Sequence, residues 1–346
     1  FPSTILRMDL KIISKIQNLY HEESKTMKGK KIFITGGAGF IGTKLCSLYA
    51  KNNEIMIYDN LNRNSIKYTD LLQKYNIKLI QGDILDFDFL KKTLNSYEPQ
   101  IIIHLAAVAG IDTVIKNPIK TMQVNMIGTY NLLEATRERI DKIERFIDFS
   151  TSEVFGSYAY KVDELSTTNL APVGEARWTY SVSKLAGEHL TNSYHKELGL
   201  KSISVRPFNV YGPGQVGEGA IHVFITRALK NEDIFIHGNG DQIRAWCYID
   251  DFVEGINLCI EKDEAVGHVF NIGNPRTSIT ISMLAHMIVR LSGSESEIKY
   301  VPKTYSDVEL RIPSIEKAQK LLNFNPKIEL DEGILRTIDW YKNFMM

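Results

Sequence analysis

Apolar and polar positions along this chain follow two periods, and the switching between them predicts its architecture. From Lys30 onward, short apolar runs are each followed by a longer stretch with helical spacing. "KIFIT" (31–35), "EIMIYD" (54–59), "IKLIQGD" (77–83), "IIIHLAA" (101–107), "RFIDFST" (145–151) and "SISVRPFNV" (202–210) read as strands. Helices are expected over Phe40–Lys51, Ile66–Tyr75, Asp86–Ser96, Met122–Arg139 and Tyr180–Leu198. Such alternation predicts an α/β fold, a doubly wound parallel sheet covered on both faces. After Arg206 the regularity loosens into turns such as "VYGPGQVGEG", "HGNGDQ" and "NIGNPRTS". This part reads as a smaller lobe of loops and helices, with some strands returning to the sheet, and not as a second sheet domain.

Ahead of the first strand, "ILRMDLKIISKIQNLY" places Ile13, Ile16 and Tyr20 at helical spacing among lysines. It predicts a short amphipathic helix packed on the body or on a partner chain, and it lacks the continuous apolar core of a signal peptide. The chain thus divides into an extension (1–28), a parallel-sheet domain (29–205) and a smaller lobe (206–346).

Composition narrows the partners. Lys plus Arg and Asp plus Glu number 41 each, so no net field draws the chain to nucleic acid or to a membrane surface. No apolar run is long enough to span a bilayer. Cys46, Cys247 and Cys259 are widely spaced and odd in number, which suggests reduced thiols and a cytoplasmic setting. The histidines form no HxxxH or HExxH pattern, so no metal site is expected.

The chemistry begins at "TGGAGFIG", which follows the first strand and opens a helix. Gly36, Gly39 and Gly42 fit GxxGxxG, and Gly37, Gly39 and Gly42 fit GxGxxG. Either spacing makes a tight turn whose backbone N–H groups approach a pyrophosphate at a helix N-terminus. Asp59 ends the second strand, where a carboxylate accepts both adenosine ribose hydroxyls and repels a 2′-phosphate. NAD is therefore expected over NADP, with nearby Arg63 read as a solvated surface arginine. Asp83 in "QGDI" suits either an adenine amine or a loop cap. His104, in "HLAA", reads as a packed strand histidine. Downstream, Tyr180 and Lys184 in "TYSVSK" lie four residues apart on one helical face. A phenol of ordinary pKa about 10 is a poor base, but a nearby ammonium and an oxidised nicotinamide both favour its ionised form.

Taken in order, "TGGAGFIG", "YDN", "GDI", "HLAA", "STSEVFG", "YSVSK", "RPFNVYGPG" and "RAWCYIDD" resemble an extended short-chain dehydrogenase/reductase of the NAD-dependent nucleotide-sugar epimerase/dehydratase family. The resemblance covers roughly residues 30–340. It implies a Rossmann-type domain with a smaller α/β substrate lobe, bound NAD, a nucleotide-sugar substrate (a UDP-sugar before others) and a homodimer built on the Met122–Arg139 and Tyr180–Leu198 helices. It assigns cofactor contacts to Gly36, Gly39, Phe40, Ile41, Gly42, Asp59, Asn60, Asp83, Ile84, Leu105, Ala106, Ala107, Asn125, Tyr180 and Lys184. Thr151, Tyr180 and Lys184 become the set that oxidises sugar carbon 4, with Asn125 supporting their helix. Asn209 and Arg244 become substrate contacts, Arg244 at the diphosphate.

The step after that oxidation depends on Ser152 and Glu153. Glucose-type 4,6-dehydratases carry Asp-Glu there, and Ser152 departs from that pattern, whereas GDP-mannose 4,6-dehydratases also resemble "STSE". UDP-glucuronate decarboxylases are similar in "TSE", in "ARWTYSVSK" and in "DVELRIPSIEKA", where Arg311 matches an arginine implicated in catalysis. Against this, "YGPGQVGEG" lacks the arginine usual after GP in decarboxylases and resembles epimerases. Arg311 is also open to a reading as a nucleotide contact or an ion pair between lobes. Decarboxylation is expected first, dehydration second and 4-epimerisation third. A non-catalytic NAD-binding regulator and a plain NADPH reductase are the rivals from other classes. The intact Thr151/Tyr180/Lys184 set disfavours the first, and Asp59 disfavours the second.

Overall fold

The computed structural model describes residues 26–344 apart from 171 and 304–306. The segment read as an amphipathic N-terminal helix lies outside the described residues.

Seven parallel strands form the central sheet: β1 (Lys31–Thr35), β2 (Glu54–Asp59), β3 (Ile77–Gln81), β4 (Ile101–His104), β5 (Arg145–Phe149), β7 (Ser202–Pro207) and the strand Val269–Ile272. Their order is Val269–Ile272, β7, β5, β4, β1, β2, β3. The chain steps outward from β1 to β3, then returns to place β4 beside β1, so the order reverses between those two strands. A crevice opens at such a point outside the carboxyl ends of the strands.

The strands are apolar on both faces because helices cover both. On one face Ile32, Ile34, Ile57 and Ile103 pack with Leu45, Cys46 and Phe252. On the other, Phe33, Ile102 and Phe146 pack with Leu90, Leu94 and Leu132. Phe33 and Phe146 are fully buried, and each contributes about 2–3 kcal/mol by leaving water. One polar row crosses this apolar sheet near its carboxyl edge. Thr35, His104, Asp148 and Ser204 are register partners on β1, β4, β5 and β7, and all four are buried.

Several expected elements differ in detail. Ile66–Tyr75 is a 3₁₀ turn (Ile66–Tyr68) followed by a single helical turn (Leu71–Lys74). The expected Met122–Arg139 helix is composite: Pro118–Met122, a π-turn over Gln123–Ile127, and Gly128–Thr136. The π-turn contains Asn125, whose side chain bonds the loop after β4. The helix bearing Tyr180 runs from Ala176 to Leu198, starting earlier than its spacing suggested.

The C-terminal part sends the strand Val269–Ile272 into the main sheet and departs from the reading that gave it no sheet of its own. It holds a four-stranded sheet ordered Ser278–Thr280, Ile243–Ala245, Leu310–Pro313 and β6 (Tyr158–Val162). These strands are three to five residues long, too short to show a period. One of them, β6, comes from the first half of the chain, so the two halves interlock through its pairing with Leu310–Pro313. No helix among the described residues is long and apolar enough to cross a membrane.

Candidate active site

A cavity of about 500 Å³ opens at the carboxyl edge of the sheet. Its walls include Gly36, Gly39, Phe40, Ile41, Gly42, Asp59, Asn60, Asp83, Ile84, Leu105, Ala106 and Ala107 at one end. Thr151, Ser152, Glu153, Tyr180, Lys184, Asn209 and Arg311 line the other. A larger, open hollow of about 1290 Å³ lies at the opposite edge, among charged loop residues such as Lys30, Glu98 and Arg139. It contains none of the candidate residues, and the crevice at the carboxyl edge is where such sheets bind ligands.

At the cofactor end, Gly36 has φ +70°, and a Cβ there would lie 2.6 Å from the Ala106 backbone nitrogen. Only glycine lets the loops after β1 and β4 approach this closely. Gly39 is the N-cap of helix Phe40–Tyr49 and offers no capping side chain. The first amides of that helix therefore remain available for an anion such as a pyrophosphate. The Asp59 carboxylate accepts the Ala38 N–H (3.0 Å) and the Leu61 N–H (2.7 Å). Burial raises its pKa and these two bonds pull it back. It joins the glycine turn to the loop after β2 and still lines the cavity.

Arg63 is not the solvated arginine expected. Its Nη2 donates to the Ala109 carbonyl (2.7 Å) and approaches Glu218 at 3.5 Å, so it is committed to the loop after β4. With Arg63 so occupied and Asp59 at the ribose end, the residues present fit NAD better than NADP. Asp83 accepts the Leu85 N–H (2.9 Å), which makes it a loop cap that also touches the cavity wall.

Asn125 brackets Val108, accepting its N–H (2.8 Å) and donating to its carbonyl (3.0 Å). The same amide donates to Ser183 Oγ (3.0 Å), next to Lys184 on the Tyr180 helix. His104 is fully buried between the hydroxyls of Thr35 (2.7 Å) and Thr129 (2.9 Å). Burial, followed by the charge of Lys184, pushes its pKa down to about 3, so it is a neutral packed histidine.

At the reacting end, Thr151 caps a 3₁₀ turn over Ser152–Phe155, its Oγ1 accepting the Glu153 N–H (3.2 Å). The Tyr180 pKa is raised well above that of a free phenol. Burial is the larger cause and Glu153 the next, while a hydrogen bond with Thr151 and the charges of Arg311 and Arg63 oppose them. Lys184 is buried, and that lowers its pKa against the pull of Asp148 and Glu188. Its charge thus interacts with carboxylates beneath the helix as well as serving the cavity.

A buried ionic cluster adjoins Glu153. Arg311 Nη1 lies 3.4 Å from Glu153, and Arg177 Nη2 lies 3.6 Å from Glu153 and 3.1 Å from Asp307. Arg244 pairs with Asp307 at 3.3 Å and donates to the Val308 carbonyl at 2.5 Å. Three guanidiniums therefore face two carboxylates. Nε and Nη2 of Arg311, and Nε and Nη1 of Arg177, are buried without a hydrogen-bond partner, an arrangement that favours a further anion. Arg311 reaches the cavity wall, whereas Arg244 stands behind it. Burial, with Arg311 alongside, pushes the Arg244 pKa down to about 10, so it stays charged at neutral pH. Asn209 lines the cavity while its amide donates to the Ala245 carbonyl (2.8 Å).

Sequence reasoning missed Arg177, Asp148 and Glu218. Arg177 stands one turn before Tyr180 within a run already singled out, and that helical spacing was the available signal. Asp148 is a charged residue inside an apolar strand run, which was a signal in itself. Glu218 sat in a turn-rich stretch with nothing to mark it.

The model of the GDP-mannose 4,6 dehydratase family matches residues 33–337. A UDP-N-acetyl-alpha-D-glucosaminuronate decarboxylase of Bacillus cytotoxicus is 32% identical over 323 residues, covering 90% of this chain and 98% of that protein. A dTDP-D-glucose 4,6-dehydratase of Dictyostelium discoideum is 36% identical over 276 residues, covering 76% of this chain and 62% of that protein. The solved structure of a UDP-glucuronic acid 4-epimerase from Bacillus cereus, in complex with UDP-glucuronic acid and NAD, superposes with a TM-score of 0.81. It is 31% identical and covers 90% of this chain and 99% of its own. With its reversed-order parallel sheet, its glycine turn and its Thr151–Tyr180–Lys184 wall, the chain belongs to the extended short-chain dehydrogenase/reductase family of nucleotide-sugar epimerases and dehydratases.

Proposed function

We propose that the protein is an NAD-dependent enzyme that oxidises carbon 4 of a UDP-sugar and then decarboxylates it, with UDP-glucuronate as the substrate. The observation that carries the reading is Arg311: a buried guanidinium on the cavity wall, beside Thr151 and Tyr180, with Nε and Nη2 unpartnered. A sugar carboxylate in the cavity would be drawn to this positive charge. NAD, held by the glycine turn and Asp59, would supply the hydride acceptor and donor for carbon 4.

Thr151 orients the carbon 4 hydroxyl, and Tyr180 accepts its proton as the carbonyl forms. Tyr180 starts with a raised pKa, so its deprotonation depends on positive charge around it, from Arg311, Arg63 and the oxidised nicotinamide. The product is a beta-keto acid, which loses carbon dioxide readily once it is held. Arg311 positions the departing carboxylate; Glu153, anchored by Arg311 and Arg177, lines the same cavity, and the enolate left when carbon dioxide departs takes its carbon 5 proton from water. Ser152 cannot supply the carboxylic acid proton that a glucose-type dehydration needs at carbon 6.

A second reading has its own support, because the Bacillus cereus relative binds a carboxylated sugar and is a 4-epimerase. Incubation of the purified protein and NAD with UDP-glucuronate, and separately with UDP-glucose, distinguishes the outcomes by product mass. Loss of carbon dioxide from UDP-glucuronate is expected. An isomer of unchanged mass means epimerisation, loss of water from UDP-glucose means dehydration, and either result would replace the decarboxylase reading.

The working unit is proposed to be a homodimer. Ile119, Ile127 and Tyr130 on the composite helix and Val182 on the Tyr180 helix are exposed apolar residues, and these two elements pack side by side. Light scattering on the eluting peak is expected to give twice the chain mass.

A further inference from the structure

Three loops from different parts of the chain meet over the cofactor end of the cavity, and one carboxylate joins them. Glu218 precedes helix Ala220–Leu229 in the C-terminal lobe. Its Oε2 accepts the Asp112 N–H (2.9 Å). Its Oε1 accepts the Thr113 N–H (3.1 Å) and the Thr113 hydroxyl. Those amides open helix Ile111–Lys116, whose own N-cap is Gly110 and carries no side chain. Glu218 therefore caps this helix from across the cleft, through charge-assisted bonds aided by the helix dipole.

The geometry leaves little slack. Gly110 has φ +97°, and a Cβ there would lie 2.6 Å from the Glu218 carboxyl. The loop after β2 adds two ties. Arg63 Nη2 donates to the Ala109 carbonyl (2.7 Å) and reaches Glu218 Oε1 (3.5 Å), and Ser65 Oγ donates to the Gly214 carbonyl (2.5 Å). Ser65 is also bound to the glycine turn through its N–H to Ala38 O (2.7 Å). Arg63, Gly110, Thr113 and Glu218 line the same cavity as Gly36 and Asp59.

We propose that Glu218, with Arg63, forms a clasp that holds the C-terminal lobe closed over NAD, so that the cofactor stays on the chain from one turnover to the next. The inference rests on NAD as the cofactor and on the redox-neutral reaction proposed above, in which the hydride returns to the sugar and NAD has no need to exchange. Glu218 is a positioning residue: it acts on NAD through the loops it joins.

The test is the NAD dissociation rate of the loaded full-length protein, read by displacement of radiolabelled NAD with excess unlabelled NAD and no sugar present. Glu218→Ala is expected to raise that rate at least tenfold, equivalent to about 1.4 kcal/mol. Arg63→Met is expected to raise it in the same direction, and the double variant to add little, because the clasp opens as a unit. Thermal midpoints of the NAD-free proteins, expected to stay close, separate the clasp from general loosening. A Glu218→Ala rate within twofold of the parent overturns the proposal; if that variant does not fold, an unchanged rate in Arg63→Met does so. The assay contains no sugar, so faster NAD loss with no turnover of UDP-glucuronate would leave the clasp standing and remove the decarboxylase reading. Turnover with an unchanged rate of NAD loss would do the reverse.

Discussion

Asp148 lies at the centre of the polar row under the Tyr180 helix, 1% exposed and with Oδ1 unpartnered. Ser204 donates to its other oxygen at 3.4 Å. Burial raises its pKa from 3.8 to about 6, Lys184 opposes that rise, and Glu188 adds to it. A folded-state pKa above the unfolded value means that the neutral form is favoured by folding. The associated stability is fully present below pH 3.8 and is lost as the pH rises through about 6. Two units correspond to about 3 kcal/mol in total, of which about 1.4 kcal/mol falls between pH 5 and pH 8.

Asp148→Asn keeps the shape and an acceptor for Ser204 but never ionises. Urea unfolding of the NAD-free protein, followed by tryptophan fluorescence, is expected to show the variant gaining about 1.4 kcal/mol on the parent between pH 5 and pH 8. In a Lys184→Met background the gain should widen, because the opposing ammonium is gone. A stability difference equal at both pH values would show that Asp148 is already ionised in the native state at pH 5, so that burial does not raise its pKa and the assigned cause is wrong.

Other outcomes follow from the same site. Tyr180→Phe should slow reduction of bound NAD by about 10²–10⁴-fold while leaving NAD content unchanged, read as absorbance of the reduced nicotinamide after substrate is added. Arg311→Met should lower kcat/KM for UDP-glucuronate by about 10–100-fold. Oxidation of a sugar lacking the carboxylate should fall by less, through the lost charge near Tyr180 alone, and Arg311→Lys should restore that part but not the carboxylate-dependent loss. Glu188 holds Arg206 through two bonds (3.0 and 2.6 Å), and both side chains are buried. Glu188→Leu would leave that guanidinium with only the Glu164 carbonyl (3.4 Å) and the nearby Glu164 charge, and should cost up to roughly 3–5 kcal/mol in urea unfolding.

Much of this molecule is written in local patterns. The six strand runs and the glycine turn depend on near-neighbour spacing, so the parallel sheet, its covering helices and the cofactor end of the cavity follow from the order of residues. Thr151, Tyr180 and Lys184 are legible because a helix face and a strand end place them by short-range geometry. What the chain alone leaves open depends on pairings between distant residues. β6 and Leu310–Pro313 are individually too short to carry a period, and each is stable only with its partner, so the second sheet appears only when both halves of the chain are together. Arg63 and Glu218 look like ordinary surface charges until folding brings them to 3.5 Å across the cleft. The surplus of positive charge beside Glu153 likewise exists only in three dimensions. Arg177, Arg244 and Arg311 come from three separate segments, and only the closed interior makes the unpaired N–H groups of Arg177 and Arg311 costly enough to call for an anion.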